Sequence, residues 1–292
     1  MTSHPQTRQI FMRNVAPFAP VALALFMHSA SLTGGAASHK NVSTAAPAAT
    51  PGFAQSCPGP HFPPNSSATA IDETECTIAG NGGAETWQNQ AKNNFCAMTP
   101  AKAIALPEFL SLQTKVQQDP SIPFGNPRNH PFTAKAGPAT DRKPMQALGE
   151  GSEVTLEGFV LIARQEGGES VNCGKNVPNT ADDHDIHISI VDTPGQEECS
   201  GVVAEMVPHH RPQSWTAKNV SAIAGQKLPV RILGQLMFDS SHSPCRNGTS
   251  ISGDPKRSSL WEVHPVYEFD VCAQGTCSSG AGWVPLEEFV KP

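Results

Sequence analysis

Two short stretches carry ligand-type side chains at the spacing of a β-strand: Asp185-Ile186-His187 and Glu262-Val263-His264. Successive side chains of an extended chain point to opposite faces, so Asp185 shares a face with His187, and Glu262 shares one with His264. Asp239 and His242 stand three apart where another alternating run ends, and Glu205 lies inside an apolar run, GVVAEMV. Imidazole with carboxylate is a donor set for zinc, manganese or a similar divalent ion, and an ion with an open position activates water. The candidate metal ligands are Asp185, His187, Asp239, His242 and His264, with Glu205 or Glu262 as general base. Outward strand positions are also ordinary solvent positions, where polar residues belong. Three such groups on neighbouring strands and a loop would strengthen the metal reading without displacing the solvent one.

The elements that must position these residues alternate with period two. Residues 153–164 (EVTLEGFVLIAR) put Val154, Leu156, Gly158, Val160 and Ile162 on one face. Residues 185–191 (DIHISIV) put Ile186, Ile188 and Ile190 opposite Asp185, His187 and Ser189. Residues 201–207 form a third strand, followed by Ser214 as N-cap, a helix over 215–224 and Gly225 as its stop. Residues 228–239 (LPVRILGQLMFD) alternate again. So do residues 260–271, with Trp261, Val263, Tyr267 and Phe269 facing one way and Glu262, His264, Glu268 and Asp270 the other. Three strands, a helix and two strands is the chain order of an oligonucleotide/oligosaccharide-binding (OB) barrel. A five-stranded sandwich fragment is the alternative. In the barrel the sheet runs 1-2-3-5-4 and closes on itself, which places strands 2 and 5 about 10 Å apart with strand 3 between them. Asp185, His187, Glu205, Glu262 and His264 would then converge on one outer patch, with Asp239 and His242 at its rim. The expected fold is mainly β: an OB-type barrel with one short helix over 151–277, a loop-rich, partly helical cap over 71–150 and a tail over 278–292. The cap holds one persuasive helix, with Pro107 in its first turn and Phe109, Leu112 and Val116 on one side.

Composition bounds the rest. Among 292 residues only 16% are charged, and 27 prolines with 24 glycines argue against a coiled coil or helical bundle. Arg8 and Arg13, an apolar run over 16–27 (APFAPVALALFM) and a small-residue exit read as a secretory signal peptide over 1–37. That run is too short and proline-broken for a span of about 20 residues, so no membrane is expected in the mature form. Residues 38–70, rich in Ala, Pro, Ser and Thr, read as a disordered linker. All 8 cysteines follow the leader without a CxxC pair, which favours disulfides and a secreted or periplasmic location. The local pairings are Cys76–Cys96 and Cys173–Cys199. Residues 151–292 hold ten basic and eighteen acidic residues, a net of −8, so nucleic acid is unfavourable as a passive partner. Arg211, Arg231, Arg246, Lys256 and Arg257 could still form a local basic patch, and His209-His210-Arg211-Pro212 could meet an anion. Nucleophile-elbow, HExxH and P-loop motifs are absent from the sequence. The reading is an exported binding barrel for a divalent metal, a small molecule or a carbohydrate. The alternatives are a metal-dependent hydrolase of phosphodiesters and a structural envelope protein.

Glu169-Ser170-Val171-Asn172-Cys173, Asp185-Ile186-His187, Phe238-Asp239-Ser240-Ser241-His242 and Trp261-Glu262-Val263-His264-Pro265-Val266 resemble a group of uncharacterised secreted bacterial proteins. The resemblance covers roughly residues 150–272, with a weaker echo in Lys92-Asn93-Asn94, and implies compartment and domain limits. The element order also resembles that of staphylococcal-type nucleases in topology alone; their acidic and arginine pattern is not visible here.

Overall fold

Runs in which apolar and polar residues alternate become strands because one face of each can leave water together. The computed structural model describes residues 77, 79–81, 86–119, 122, 142–172, 184–209, 211–249, 254–278 and 281–291. The leader read over 1–37, the linker read over 38–70, and Cys57, Cys76, Cys173 and His210 lie outside the described residues. In chain order the elements begin with α1 (Thr86–Lys92), β1 (Met98–Ile104), α2 (Leu106–Gln118) and α3 (Lys143–Ala147). They continue with β2 (Ser152–Gln165), β3 (Ile186–Val191), β4 (Val202–Met206) and α4 (Ala217–Gln226). The last are β5 (Pro229–Phe238), β6 (Trp261–Cys272), β7 (Trp283–Pro285) and α5 (Leu286–Phe289).

Strands β2 to β6 close into a barrel. Antiparallel ladders join β2 to β3, β3 to β4, β6 to β5 and β5 back to β2, while β4 meets β6 in parallel. This is the 1-2-3-5-4 order expected of the OB arrangement, with α4 between its third and fourth strands. Two further strands flank it: β1 runs parallel to β2, and β7 pairs with β6. Residues 283–289, read as tail, thus form β7 and α5, and Leu286 is buried in the core. The core takes Ile186, Ile188 and Ile190 from β3, Val202, Ala204 and Met206 from β4, and Val230, Ile232, Leu236 and Phe238 from β5. Helix α2 adds Phe109 and Val116, and is fixed to the start of β6 by Ser259 Oγ donating to Phe109 O and Leu260 N donating to Gln113 Oε1.

Where the structure departs from strict alternation, a bulge is the cause. The β2–β3 register shifts between Val160 and Ile162, so Ala163 rather than Ile162 enters the core. In β6 the ladder shifts twice around Pro265, which has no amide to donate, and Val266 enters the core in its place. Tyr267 is thereby turned out of the barrel interior into a second cluster with Phe95, Ala97 and Val207. Opposite this bulge, a Cβ on Gly234 would sit 2.5 Å from Pro265 O and 2.5 Å from Val263 Cγ1. Gly234→Ala is expected to cost roughly 1–3 kcal/mol by overpacking. Urea unfolding would show this as a lower midpoint with an unchanged slope.

Two expectations change. Helix α4 is capped by Thr216, whose side chain accepts from Asn219 N, rather than by Ser214. It runs through Gly225 to end at Lys227 in a left-handed conformation, and Asn219 Nδ2 donates to the Ser214 backbone carbonyl in the preceding turn. Cys199 pairs with Cys245, not Cys173, at a Cα–Cα distance of 5.6 Å. The long β5–β6 loop folds back here: Ser258 N donates to Gly201 O and Cys245 N to Arg257 O. Cys272 pairs with Cys277, and Cys96 is also disulfide-bonded.

Candidate metal centre

His187 stands opposite Glu205 in the β3–β4 ladder, and Ala204 pairs with Val263 across the parallel β4–β6 contact. That register brings His187, Glu205 and His264 together on the outer face of the barrel. His264 Nδ1 lies 2.8 Å and His187 Nε2 lies 3.3 Å from Glu205 Oε2. At the end of β5, Asp239 Oδ2 is 3.5 Å from His242 Nε2. Three overlapping groups cross the face, each with its ligand atoms within 4.8 Å of one another: Glu169–Asp185–His187, Asp185–Glu205–His264 and Glu205–Asp239–His242. The five ligands and Glu205 read from the sequence all belong to these groups. Glu262 stands behind them, its oxygens held by Arg257 Nη1 at 2.7 Å and His264 Nδ1 at 3.1 Å.

The face is not a solvent face. Asp185, Glu205, Glu262 and His264 are 0% exposed and His187 is 1% exposed. Part of the cover is the segment 86–97, which presents polar rather than apolar groups. Gln88 Nε2 donates to Asp239 Oδ1 at 3.1 Å. Gln235 Nε2 donates to both Ala91 O and His264 O, while Tyr267 Oη donates to Asn94 O. Lys92 Nζ enters the cluster itself, 3.0 Å from Asp239 Oδ2, 3.4 Å from Glu169 Oε2 and 4.0 Å from Glu205 Oε2. Glu169, Glu166 and His242 keep side-chain exposures of 28%, 23% and 19%, and form the wet rim.

Sequence reasoning missed Lys92, Glu166, Glu169, Gln88 and Arg257 as members of this cluster. Lys92 and Glu169 lay in stretches that carried the family resemblance, but no periodicity pointed them at the site. Arg257, read as part of a surface patch, is buried against Glu262. Arg211 is likewise no anion-binding residue on offer: its Nη1 donates to His184 O and Met206 O. Arg231 is held by Asp270 and lies over the Trp283 ring. These three arginines are therefore held by partners within the fold.

The cluster carries an excess of acidic groups. Six carboxylates (Glu166, Glu169, Asp185, Glu205, Asp239 and Glu262) face two fixed cations, Lys92 and Arg257. Taken as ionised and with neutral imidazoles, the excess is four negative charges. Without a metal, protons fill part of the role. Burial alone would lower the His187 pKa, but Glu205 and Glu169 push it up to about 9. His264, also buried, is pushed up to about 10 by Glu205 and Glu262. Burial and Glu169 raise Asp185 to about 6, and burial with Glu205 raises Glu262 to about 7. Against the opposing effect of burial, Glu205 is held well below the usual carboxylate range by His187, His264 and Lys92. Burial and Arg257 depress His242 to about 4.

Even so, the pairing is incomplete. Both oxygens of Asp185 and Nε2 of His264 are buried without a hydrogen bond, while Glu205, His187 and Asp239 Oδ2 meet their neighbours as ion pairs rather than as well-directed hydrogen bonds. Buried polar atoms left this way carry a desolvation penalty of roughly 1–3 kcal/mol each. A cation removes it, since ligand atoms about 2.0–2.2 Å from one ion stand about 3.3 Å from each other. The second shell is in place: Glu262 against His264 Nδ1 and Glu166 3.5 Å from His187 Nδ1 can fix the tautomers that present Nε2. Comparison with family models, curated proteins and solved structures returns no match. The residue groups themselves, able to hold a metal ion on a closed five-stranded barrel, carry the functional argument.

Proposed function

We propose that this chain is an exported barrel protein that binds a divalent metal ion, zinc or manganese, through Asp185, His187, Glu205 and His264. The observation that carries the reading is the set of buried nitrogen and oxygen atoms, drawn from three strands, that face one another without hydrogen bonds. A structural envelope protein with merely solvated polar groups would leave these residues exposed. Export is supported by the leader-like start of the sequence and by the Cys199–Cys245 and Cys272–Cys277 disulfides. Among the described residues no helix is long and apolar enough to cross a membrane.

A second reading, a metal-dependent hydrolase of phosphodiesters, is favoured by the rim. Glu166, Glu169 and His242 leave one side of the cluster partly open to water, as a catalytic metal requires. Glu262 is a poor general base, since Arg257 and His264 engage its oxygens, which makes Glu205 or rim Glu169 the residue for that role.

Elemental analysis of the purified full chain tests the first reading. At least one divalent ion per chain is expected, and His187→Ala and His264→Ala should each remove it while circular dichroism stays that of a folded barrel. Unchanged metal content in both variants overturns it. Chelator-sensitive cleavage of a chromogenic phosphodiester tests the second.

A further inference from the structure

Glu205 belongs to two of the three ligand groups, and the outer of these, Glu205–Asp239–His242, shares only Glu205 with the ion proposed above. We infer that this group is a second divalent-cation site, with Glu205 bridging the two ions. The inference rests on the reading of a first metal at Asp185, His187, Glu205 and His264.

The geometry supplies three separate supports. Glu205 Oε2 faces both imidazoles within 3.3 Å, whereas Oε1 has no hydrogen bond and stands 3.9 Å from Arg257 Nη2, which leaves it open to a second cation, as a bridging carboxylate needs. Asp239 Oδ1 is fixed by Gln88 Nε2 and Ser241 N, which aims its buried Oδ2 into the cluster, where only the ion-pair partners Lys92 and His242 meet it. A cation is already drawn to the place: Lys92 Nζ lies 3.0 Å from Asp239 Oδ2 and 4.0 Å from Glu205 Oε2.

Charge permits two ions: the buried carboxylates leave an excess of two over Lys92 and Arg257, and the rim residues Glu166 and Glu169 supply two more. Paired ions in two-metal sites stand about 3.5–4 Å apart and clamp both oxygens of a displacement at phosphorus, so the ligand class suited to the filled pair is a phosphate ester. Lys92 makes filling of the outer site conditional. Its ammonium, on a flexible stem and already 3.4 Å from Glu169 Oε2, must move from Asp239 toward the rim as the ion enters. The outer ion is therefore the weaker of the two.

Manganese titration of the full chain, followed by electron paramagnetic resonance and elemental analysis, decides the matter. Two manganese ions per chain are expected, with the halved hyperfine spacing of an exchange-coupled pair. His242→Ala, at the partly exposed rim, should hold one ion with an uncoupled signal. Lys92→Met, which keeps the stem and deletes the charge, should tighten the second ion at least tenfold. A wild-type chain that binds one uncoupled ion overturns the second site and leaves the first standing. So does a His242→Ala chain that still holds a coupled pair. A chain that binds no manganese or zinc overturns both readings.

Discussion

Glu205→Gln is expected to weaken divalent-metal binding a thousandfold or more, about 4 kcal/mol, while Glu262→Gln weakens it only ten- to a hundredfold. The sequence offers both glutamates for one role, Glu205 inside the apolar run GVVAEMV and Glu262 two residues from His264. The structure separates them by what they touch. Glu205 has His187 and His264 within 3.3 Å of one oxygen and no hydrogen bond on the other. Glu262 is already neutralised by Arg257 and reaches the centre only through His264. Glutamine keeps the volume of both side chains, so competition titration against a chromogenic chelator reads the charge and donor change rather than a cavity. Equal losses in the two variants would show that His264, not Glu205, sets the affinity.

The same substitution says what the cluster does without metal. In Glu205→Gln the two histidines lose the carboxylate that holds their pKa values up, so both return toward neutrality in a buried place. Each is then a ligand without its anionic partner, which separates metal loss from unfolding: the variant should keep the Cys199–Cys245 bond and its barrel circular dichroism.

The barrel was legible because its signal is local. Ile186, Ile188 and Ile190 alternate with Asp185, His187 and Ser189, and a period-two strand exposes the difference between its faces within seven residues. Joining five such strands and one helix in chain order was enough to bring the ligands onto neighbouring strands. Bulges were not legible in detail: Pro265 signalled an interruption, yet the turn of Tyr267 away from the interior depends on how β5 and β6 re-register around it. The cover was illegible for a different reason. Helix α1 and the residues after it bury Gln88, Asn89, Lys92, Asn93 and Asn94, a composition that reads as a solvated surface. A polar segment docks on a polar face only when the partners match one by one, as Gln88 with Asp239 and Gln235 with Ala91 O do. No periodicity in either segment announces that match. The Cys199–Cys245 pairing was hidden likewise, because it depends on the fold of a loop 46 residues away in sequence.

Metal affinity should rise steeply with pH, and the stability of the metal-free chain should move the other way. A histidine must be neutral to ligate, and His187 and His264 in the metal-free cluster hold their protons up to about pH 9 and about pH 10. Between pH 6.5 and 8.5 each ion bound at the inner site should release up to two protons, so affinity climbs by up to about 10⁴, or roughly 5 kcal/mol. Calorimetry in two buffers of different protonation enthalpy counts those protons directly. For folding without metal, the sign follows from the same two shifts. Both folded-state values lie above the unfolded value of about 6.5, so the stabilisation is fully present below that pH and is lost as pH rises through 9 and 10. His242, depressed to about 4, and the low carboxylates Glu205 and Asp239 act only below neutrality; Glu262, raised to about 7, loses its proton near neutrality and lowers stability in the same direction, so the alkaline part of the window belongs to the two histidines. Urea midpoints of the chelated chain should therefore fall from pH 7 to 10, while the stabilisation added by zinc or manganese grows over the alkaline side of neutrality. A solvated polar face would show neither trend. Loss of both in His187→Ala,His264→Ala would assign them to this pair of imidazoles, because a ligand site whose resting occupants are protons is the one arrangement that makes the two curves diverge.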